Sequence, residues 1–214
     1  MAADEYVLYG AKGSGSASVE AALHLAGLPY RIVEAAQWLP GSAYAELLKV
    51  NPLGQVPTLV LPDGQVLTES AAILIHLGTA IAAPGALMPA DAVQRARVLR
   101  GLVFIPANCY SAITILDYPE RFLDPVDDAT QEALRAGTRK RLHLHWEMFA
   151  DQFGGGEYLH GDAPGALDLF AAVVSRWSGT RKHLEEHRPG FHALLKRIDT
   201  HPQLAPVFRR HWDA

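Results

Sequence analysis

The chain has 214 residues, of which 49% are hydrophobic and 20% charged, and its formal net charge is −4. Domains usually span about 100–200 residues, so this length predicts one large domain or two small ones. The slight acidic excess argues against nucleic acid as a partner, because binding a polyanion requires a basic surface.

Cysteine content and the absence of targeting signals indicate the cellular compartment. Cys109 is the single cysteine, so an internal disulfide and a cysteine-based zinc site are excluded, which is typical of a reducing environment. No secretory leader is recognisable at the N-terminus, and the apolar runs are shorter than the roughly 20 residues of a membrane helix. We therefore expect a cytoplasmic protein that does not enter a membrane.

Strand-like and helix-like segments alternate along the first part of the chain. A short apolar run over residues 6–9 predicts a strand, an Ala- and Leu-rich segment over 17–26 predicts a helix that ends before Gly27, and residues 30–33 predict a second strand. This β-α-β order favours a parallel strand pair joined by a right-handed crossover.

The following segments indicate a β-hairpin between two helices. Residues 44–50 are predicted to form a short helix, and strands are predicted over 57–61 and 65–67, on either side of Asp63-Gly64. Asp-Gly between apolar runs is a strong signal for two antiparallel strands. A helix over 71–77 completes the order β-α-β-α-β-β-α.

The second half of the chain is predicted to be entirely helical. Helical periodicity extends over residues 91–109, 128–153, 166–176 and 190–197. Residues 83–90 contain two prolines and a glycine and are typical of a linker. The sequence thus predicts an α/β domain over 1–82 and an all-helical domain over 91–214.

Two short motifs suggest functions that their surroundings do not support. The run from Gly13 to Ser18 approaches a dinucleotide-binding glycine pattern, but Ser18 replaces the third glycine and an antiparallel hairpin follows. His183 and His187 match an H-x-x-E-H zinc pattern, but a third ligand is not evident and a solvated helix end explains them. We therefore expect neither a nucleotide nor a metal.

A third motif is more informative and combines residues before and after the hairpin. Val56-Pro57 enters a strand at its first position, and a cis proline there would turn the Val56 backbone outward to pair with an extended peptide. Glu69 and Ser70 begin a helix, where they suit an ammonium and a carboxylate. These residues describe a site for an α-amino acid joined to a short peptide, although a capped helix and a strand-entry proline without a ligand explain them equally well.

Four segments of the first half match a known family. They are Tyr-Val-Leu-Tyr-Gly10, Ala-Gly-Leu-Pro-Tyr30, Asn51-Pro-Leu-Gly-Gln-Val-Pro-Thr-Leu and Asp63-Gly-Gln-Val-Leu-Thr-Glu-Ser-Ala-Ala-Ile-Leu. These segments resemble the cytosolic glutathione S-transferase superfamily, in a bacterial, Ser-type or atypical form. The resemblance implies a thioredoxin-like N-terminal domain, an all-α helical-bundle domain and a homodimer. It also implies a detoxifying transferase that binds glutathione as co-substrate and directs its thiolate at a small hydrophobic electrophile.

Transferred to this chain, the resemblance implies a binding residue for each part of glutathione. Val56 would pair with the cysteinyl backbone, just before a cis Pro57. Glu69 and Ser70 would hold the γ-glutamyl end, with Gln55 beside them. The glycyl carboxylate would be held near the loop after the second strand, where the candidates are Trp38, Gln37 and Lys49.

The thiol-activating residue of this family lies near the start of the first helix and is a Tyr, Ser or Cys. Alignment from the end of that helix places the bacterial cysteine position on Gly15, whereas counting forward from Tyr9 places the Ser-type position near Ser14. We expect Ser14, or else Ser16, to activate the thiol by a hydrogen bond assisted by the helix N-terminus.

Residues for the electrophile are expected on the first helix of the second domain. Phe104, Asn108 and Tyr110 are the candidates, and an ordinary core or interface role explains them equally well. Two other functions remain open: a binding or structural protein that retained the fold without the chemistry, and a glutathione-dependent disulfide reductase or peroxidase.

Overall fold

The computed structural model describes residues 5–81, 83, 86–124, 127–159 and 161–212, and the structural statements below refer to these residues. The ends of the predicted domains, at 1–4, 82, 213 and 214, lie outside the described residues. So do positions 84 and 85, which are the Pro-Gly pair of the predicted linker.

A four-stranded mixed sheet forms the N-terminal domain, with the strand order β2-β1-β3-β4. β1 and β2 are parallel, and Tyr6 lies opposite Tyr30, whereas β3 is antiparallel to both β1 and β4. Both predicted pairings, the parallel crossover and the hairpin, are confirmed. The strands are β1 (Tyr6–Gly10), β2 (Tyr30–Glu34), β3 (Thr58–Val60) and β4 (Val66–Leu67).

Three helices accompany this sheet, at the positions that the sequence predicts. They are α1 (Ser16–Leu25), α2 (Tyr44–Val50) and α3 (Ser70–His76), and a π-helical turn, Leu77–Ile81, continues α3. All residues from Ser16 to Leu23 are buried, because α1 packs against β1 and α3 and also against the second domain. Small residues such as Ala17, Ala21 and Ala22 permit this close packing.

The C-terminal domain is helical, with more helices than the sequence predicts. Its helices are α4 (Ala92–Phe104), α5 (Ser111–Asp117), α6 (Asp128–Phe153), α7 (Ala166–Val174), α8 (Thr180–His187), α9 (Pro189–Thr200) and α10 (Ala205–His211). The short helices α5 and α10 were not predicted, and α8 was expected only as the helix end that carries His183 and His187. All residues of α7 are buried at the centre of the domain.

A π-helical turn, Ile105–Tyr110, joins α4 to α5 and makes one continuous helix of 26 residues, Ala92–Asp117. Within the described residues this helix is long and apolar enough to span a membrane, with a mean hydropathy of 1.4 in its most apolar window. Length and hydropathy alone do not distinguish such a span from a packed helix. Here the buried Leu102, Ile105 and Cys109 belong to the hydrophobic core that α4 forms with α6 and α7.

A buried polar cluster connects the first helix with the last. The Glu20 carboxylate of α1 is 1% exposed and accepts a hydrogen bond from His211 Nε2 at 2.6 Å, and it also pairs with Arg210. The other ring nitrogen of His211, Nδ1, accepts a hydrogen bond from the Gly13 amide at 3.2 Å. The end of α10 therefore fixes the loop that precedes α1.

Candidate active site

A cavity of about 350 Å³ lies between the N-terminal domain and helices α4 and α7. One wall is polar and comes from the ends of β-strands and helices in the first domain. The opposite wall is apolar and comes mainly from the second domain. The lining residues are Asn51, Gln55, Val56, Pro57, Thr68, Glu69, Ser70, Ala71, Ala72, Ile75, Val103, Pro106, Tyr110 and Phe170.

The loop before β3 presents backbone groups to the cavity. The Val56–Pro57 peptide bond is cis. The buried Asn51 amide donates to Thr58 Oγ1 at 2.9 Å and to the Gln55 carbonyl at 3.2 Å, and these bonds fix the shape of the loop. The Val56 amide and carbonyl bond to no described residue, so both are available to an extended ligand.

Glu69 has a backbone conformation that L-residues rarely adopt. Its φ of 64° and ψ of 110° place it at the N-terminal boundary of α3, directly before the buried Ser70. Strain of this kind persists where the surrounding structure imposes it, often at binding sites. Within the described part of the chain the Glu69 carboxylate has no salt-bridge partner, so an unneutralised negative charge borders the cavity.

Ser14 and Ser16 do not line the cavity, because their hydroxyls bond to the loop before α1. Ser14 Oγ donates to the Ala11 carbonyl at 2.8 Å and lies 2.8 Å from Ser16 Oγ. Ser16 Oγ in turn accepts from the Ala11 amide at 3.2 Å. The relative exposure of these residues is 9% and 2%. Both predicted thiol-activating hydroxyls are therefore engaged within the loop.

Gly15, the position between these serines, faces Tyr110 of the π-helical turn. A Cβ atom on Gly15 would lie 2.9 Å from the Tyr110 hydroxyl oxygen, 3.5 Å from Ser70 Oγ and 3.7 Å from Pro57 Cδ. The Tyr110 ring packs against Phe170 and Trp177, with centroid distances of 6.5 Å and 5.6 Å. The hydroxyl thus extends from the helical domain to the polar wall.

Of the three residues predicted for the electrophile pocket, the structure brings only Tyr110 to the cavity. The Phe104 ring packs against Phe149 and Phe153, with centroid distances of 5.7 Å and 6.2 Å. Asn108 Nδ2 donates to the Phe104 carbonyl at 3.1 Å. The face of this continuous helix that borders the cavity carries Val103, Pro106 and Tyr110, and Phe104 and Asn108 lie on neighbouring faces.

The predicted glutathione-binding residues separate into two groups. Gln55, Val56, Pro57, Glu69 and Ser70 meet at the polar wall. Trp38 lies apart from the cavity lining and is 62% exposed, and the alternatives Gln37 and Lys49 are exposed as well.

Sequence reasoning missed several lining residues. Asn51 begins the segment that contains Val56-Pro57, and Pro106 lies within a predicted helix, where proline is unusual. Both residues could therefore have been recognised from the sequence. Val103 and Phe170 could not have been recognised, because the sequence does not show whether an apolar residue on a helix faces a core or a cavity.

The histidines of the predicted helix end stack on one another. The His183 ring lies 4.3 Å from the His143 ring and 4.1 Å from the His187 ring, and its Nε2 contacts Glu147 Oε1 at 2.8 Å. The pKa of His143 is lowered, and the largest cause is the burial of its ring. Among the described residues, no three or more His, Cys, Asp or Glu side chains are grouped so that they could hold a metal ion.

Known proteins share both the sequence motifs and the fold. A family model described as "Glutathione S-transferase, N-terminal domain" matches residues 16–80. The "Probable glutathione S-transferase BZ2" of Zea mays is 31% identical over 172 residues, which cover 76% of this chain and 70% of that protein. The chain belongs to the glutathione S-transferase family.

Two further similarities extend over nearly the whole chain. The "Uncharacterized GST-like protein YncG" of Escherichia coli (strain K12) is 29% identical over 206 residues, covering 95% of this chain and 97% of that protein. A solved structure of a glutathione transferase homologue from Sulfitobacter, with bound glutathione, has a TM-score of 0.80 at 24% identity and covers 95% and 96% of the two chains. These findings confirm the predicted family and its fold, a thioredoxin-like domain followed by a helical domain.

Proposed function

We propose that this protein is a glutathione transferase that binds glutathione at the polar wall of the cavity and directs its thiolate at a small hydrophobic electrophile. The observation that carries the proposal is the convergence of the cis Val56–Pro57 peptide, the strained Glu69 and the buried Ser70 on one wall. Membership of the glutathione S-transferase family and the glutathione bound to the Sulfitobacter homologue support it.

Each polar group of this wall has a complementary group in glutathione. The Val56 amide and carbonyl pair with the cysteinyl backbone as a neighbouring strand would. The Glu69 carboxylate pairs with the γ-glutamyl ammonium, and Ser70 binds the adjacent carboxylate, with Gln55 beside them. The glycyl end extends toward the loop of Trp38, where Gln37 and Lys49 are the other candidates.

The apolar wall fits a hydrophobic electrophile. Val103, Pro106 and Phe170 carry no charge, and Ile75 extends the surface from the first domain. Such a wall favours an apolar substrate because its burial removes apolar area from water. A cytoplasmic detoxifying role and a homodimer complete the proposal, in keeping with the family.

The experiment is calorimetric titration with glutathione of the unaltered protein and of Glu69→Gln, which removes the charge but preserves side-chain size. A hydrogen bond to a charged group contributes about 1.5–3 kcal/mol. Because 1.4 kcal/mol corresponds to a tenfold change, the variant is expected to bind about 10- to 150-fold more weakly. Glu132→Gln, on the exposed surface of α6, is the matched control.

The outcomes separate the alternatives. Equal affinity of the Glu69→Gln variant would contradict the assigned orientation, and an unaltered protein that does not bind glutathione would contradict the proposal itself. If glutathione binds, conjugation of an aromatic halide supports the transferase. Turnover of a disulfide or peroxide alone would indicate a reductase or peroxidase, and no turnover would indicate a binding protein.

A further inference from the structure

Gly15 has a backbone conformation that does not require glycine. Its φ of −59° and ψ of −19° lie in the right-handed helical region, which is open to every L-residue. The backbone conformation therefore does not require glycine at this position, and the limited room for a side chain does. The space that it leaves is small, since an added Cβ would lie 2.9 Å from the Tyr110 hydroxyl.

This space adjoins the polar wall at which the proposed function places glutathione. It is bordered by Pro57, which follows Val56 in the loop before β3, and by Ser70, the first residue of α3. Pro57, the neighbour of Val56, has its Cδ 3.7 Å from the position of that Cβ, so a cysteinyl residue paired with Val56 would lie beside this space. The Tyr110 hydroxyl is thus within reach of the sulfur, and no described group forms a hydrogen bond with that hydroxyl.

The two serines of the same loop are less suited to this contact. Their two hydroxyl protons have acceptors within the loop, in the Ala11 carbonyl and in each other's oxygen. Redirecting either proton to a sulfur atom would break one of these buried bonds. Neither serine borders the cavity.

We propose that Tyr110 of the helical domain, in place of a residue at the start of α1, donates the hydrogen bond that stabilises the glutathione thiolate. This inference rests on the proposed function. It makes Tyr110 a catalytic residue and explains Gly15 as the position that admits its hydroxyl.

The chemistry requires only that the phenol remain neutral. The thiol releases its proton to water, the electron pair stays on sulfur, and the Tyr110 O–H donates to that thiolate without transferring its own proton. Burial, together with the negative charges of Glu69 on the first domain and Asp117 on α5, raises the pKa of Tyr110. The phenol therefore remains protonated at neutral pH and acts as a donor, and a hydrogen bond to the charged form lowers the pKa of the bound thiol.

The test measures the thiol pKa of enzyme-bound glutathione from its ultraviolet thiolate absorbance, in the unaltered protein and in Tyr110→Phe. We expect a pKa below the value of about 8.5 for an unperturbed cysteine thiol, and an increase of about one unit or more in the variant. Affinity for S-methylglutathione, which forms no thiolate, should change less than threefold. Tyr118→Phe, an exposed tyrosine directly after the end of α5, is the matched control.

A second variant tests the role of the space at position 15. In Gly15→Ala the added Cβ meets the Tyr110 hydroxyl, so the thiol pKa should rise, whereas Gly137→Ala, with open space around it, should leave it unchanged. In the Tyr110→Phe background the clash is relieved, so adding Gly15→Ala should produce no further rise.

The remaining outcomes overturn either this inference or the proposed function. If Tyr110→Phe binds glutathione and keeps the unaltered thiol pKa, the inference is overturned while the proposed function stands. If Ser14→Ala or Ser16→Ala raises the thiol pKa and Tyr110→Phe does not, a serine is the activating residue. If the unaltered protein does not bind glutathione, the proposed function fails first, and that result is distinguishable from the others.

Discussion

Removal of the Glu20 carboxylate is expected to destabilise the protein substantially, although Glu20 lies outside the cavity. The residue is on α1 and bonds to His211 and Arg210 of α10. In Glu20→Ala, His211 Nε2 loses its partner in a side chain that is 7% exposed. The change therefore breaks the connection between the first helix and the last.

The magnitude follows from the burial of each contact. The His211 bond is buried and involves a charged acceptor, so its loss costs about 1.5–3 kcal/mol. The Arg210 side chain is 51% exposed, and a contact of that kind contributes about 0–1 kcal/mol. The sum is roughly 2–4 kcal/mol, which corresponds to a fall in Tm of about 4–16 °C at about 2–4 °C per kcal/mol.

The pH dependence of this effect has a defined sign. Burial by itself raises the pKa of Glu20, but the hydrogen bonds from His211 and Arg210 outweigh it and hold the pKa below its ordinary value of 4.5. A carboxylate with a lowered pKa in the folded state stabilises the fold fully above its ordinary value. That contribution is lost as the pH falls through the lowered value.

Urea unfolding at several pH values tests both parts of this prediction. The difference in unfolding free energy between the unaltered protein and Glu20→Ala should narrow as the pH falls below 4.5. Glu132→Ala, on the exposed surface of α6, should change the unfolding free energy by less than about 0.5 kcal/mol. A Glu20→Ala cost under about 1 kcal/mol at pH 7, or a difference that widens in acid, would refute the reasoning.

The remaining predictions concern two glycines and the cysteine. Gly101→Ala should cost about 1–3 kcal/mol in urea unfolding, because its Cβ would lie 2.6 Å from Leu167 Cδ2 at the α4–α7 crossing. Gly137→Ala, on an exposed position of α6 with open space, should instead stabilise by about 0.5–1 kcal/mol, and equal effects of the two would contradict this packing. Cys109 is fully buried, and burial raises the pKa of its thiol to about 12. Iodoacetamide at pH 8 should therefore label this thiol only after the protein unfolds. Rapid labelling of the native protein would contradict this prediction, because it would show that the thiol is accessible.

The elements of the first domain could be predicted because their signals are local. The Asp63-Gly64 turn and the run before Gly10 each specify a strand end within a few residues, and the structure agrees to within two residues there. The helix through Pro106 was predicted only as far as residue 109, and its continuation through the π-helical turn into α5 could not be predicted in this way. A proline usually interrupts a helix, and only the packing of α4 and α5 against α6 and α7 maintains the π-helical turn there.

The residues of the polar wall could also be predicted from the sequence. Val56, Pro57, Glu69 and Ser70 lie close along the chain, on either side of one hairpin, so a short motif brings them together. Their neighbours across the cavity come from helices whose rotation depends on packing. Phe104 packs against Phe149 whereas the adjacent Val103 borders the cavity, and periodicity alone does not predict that rotation.

The sequence by itself determined the family, the mixed sheet with its helical second domain, and the residues on either side of the hairpin that form the polar wall. Each of these depends on turn chemistry, periodicity or a contiguous motif, which are properties of neighbouring residues. Only the tertiary structure decided that Ser14 and Ser16 bond within their own loop and that Tyr110 reaches the space left by Gly15. Gly15 and Tyr110 are far apart along the chain and belong to different domains. They meet because α1 is buried against α7, which brings the two domains together.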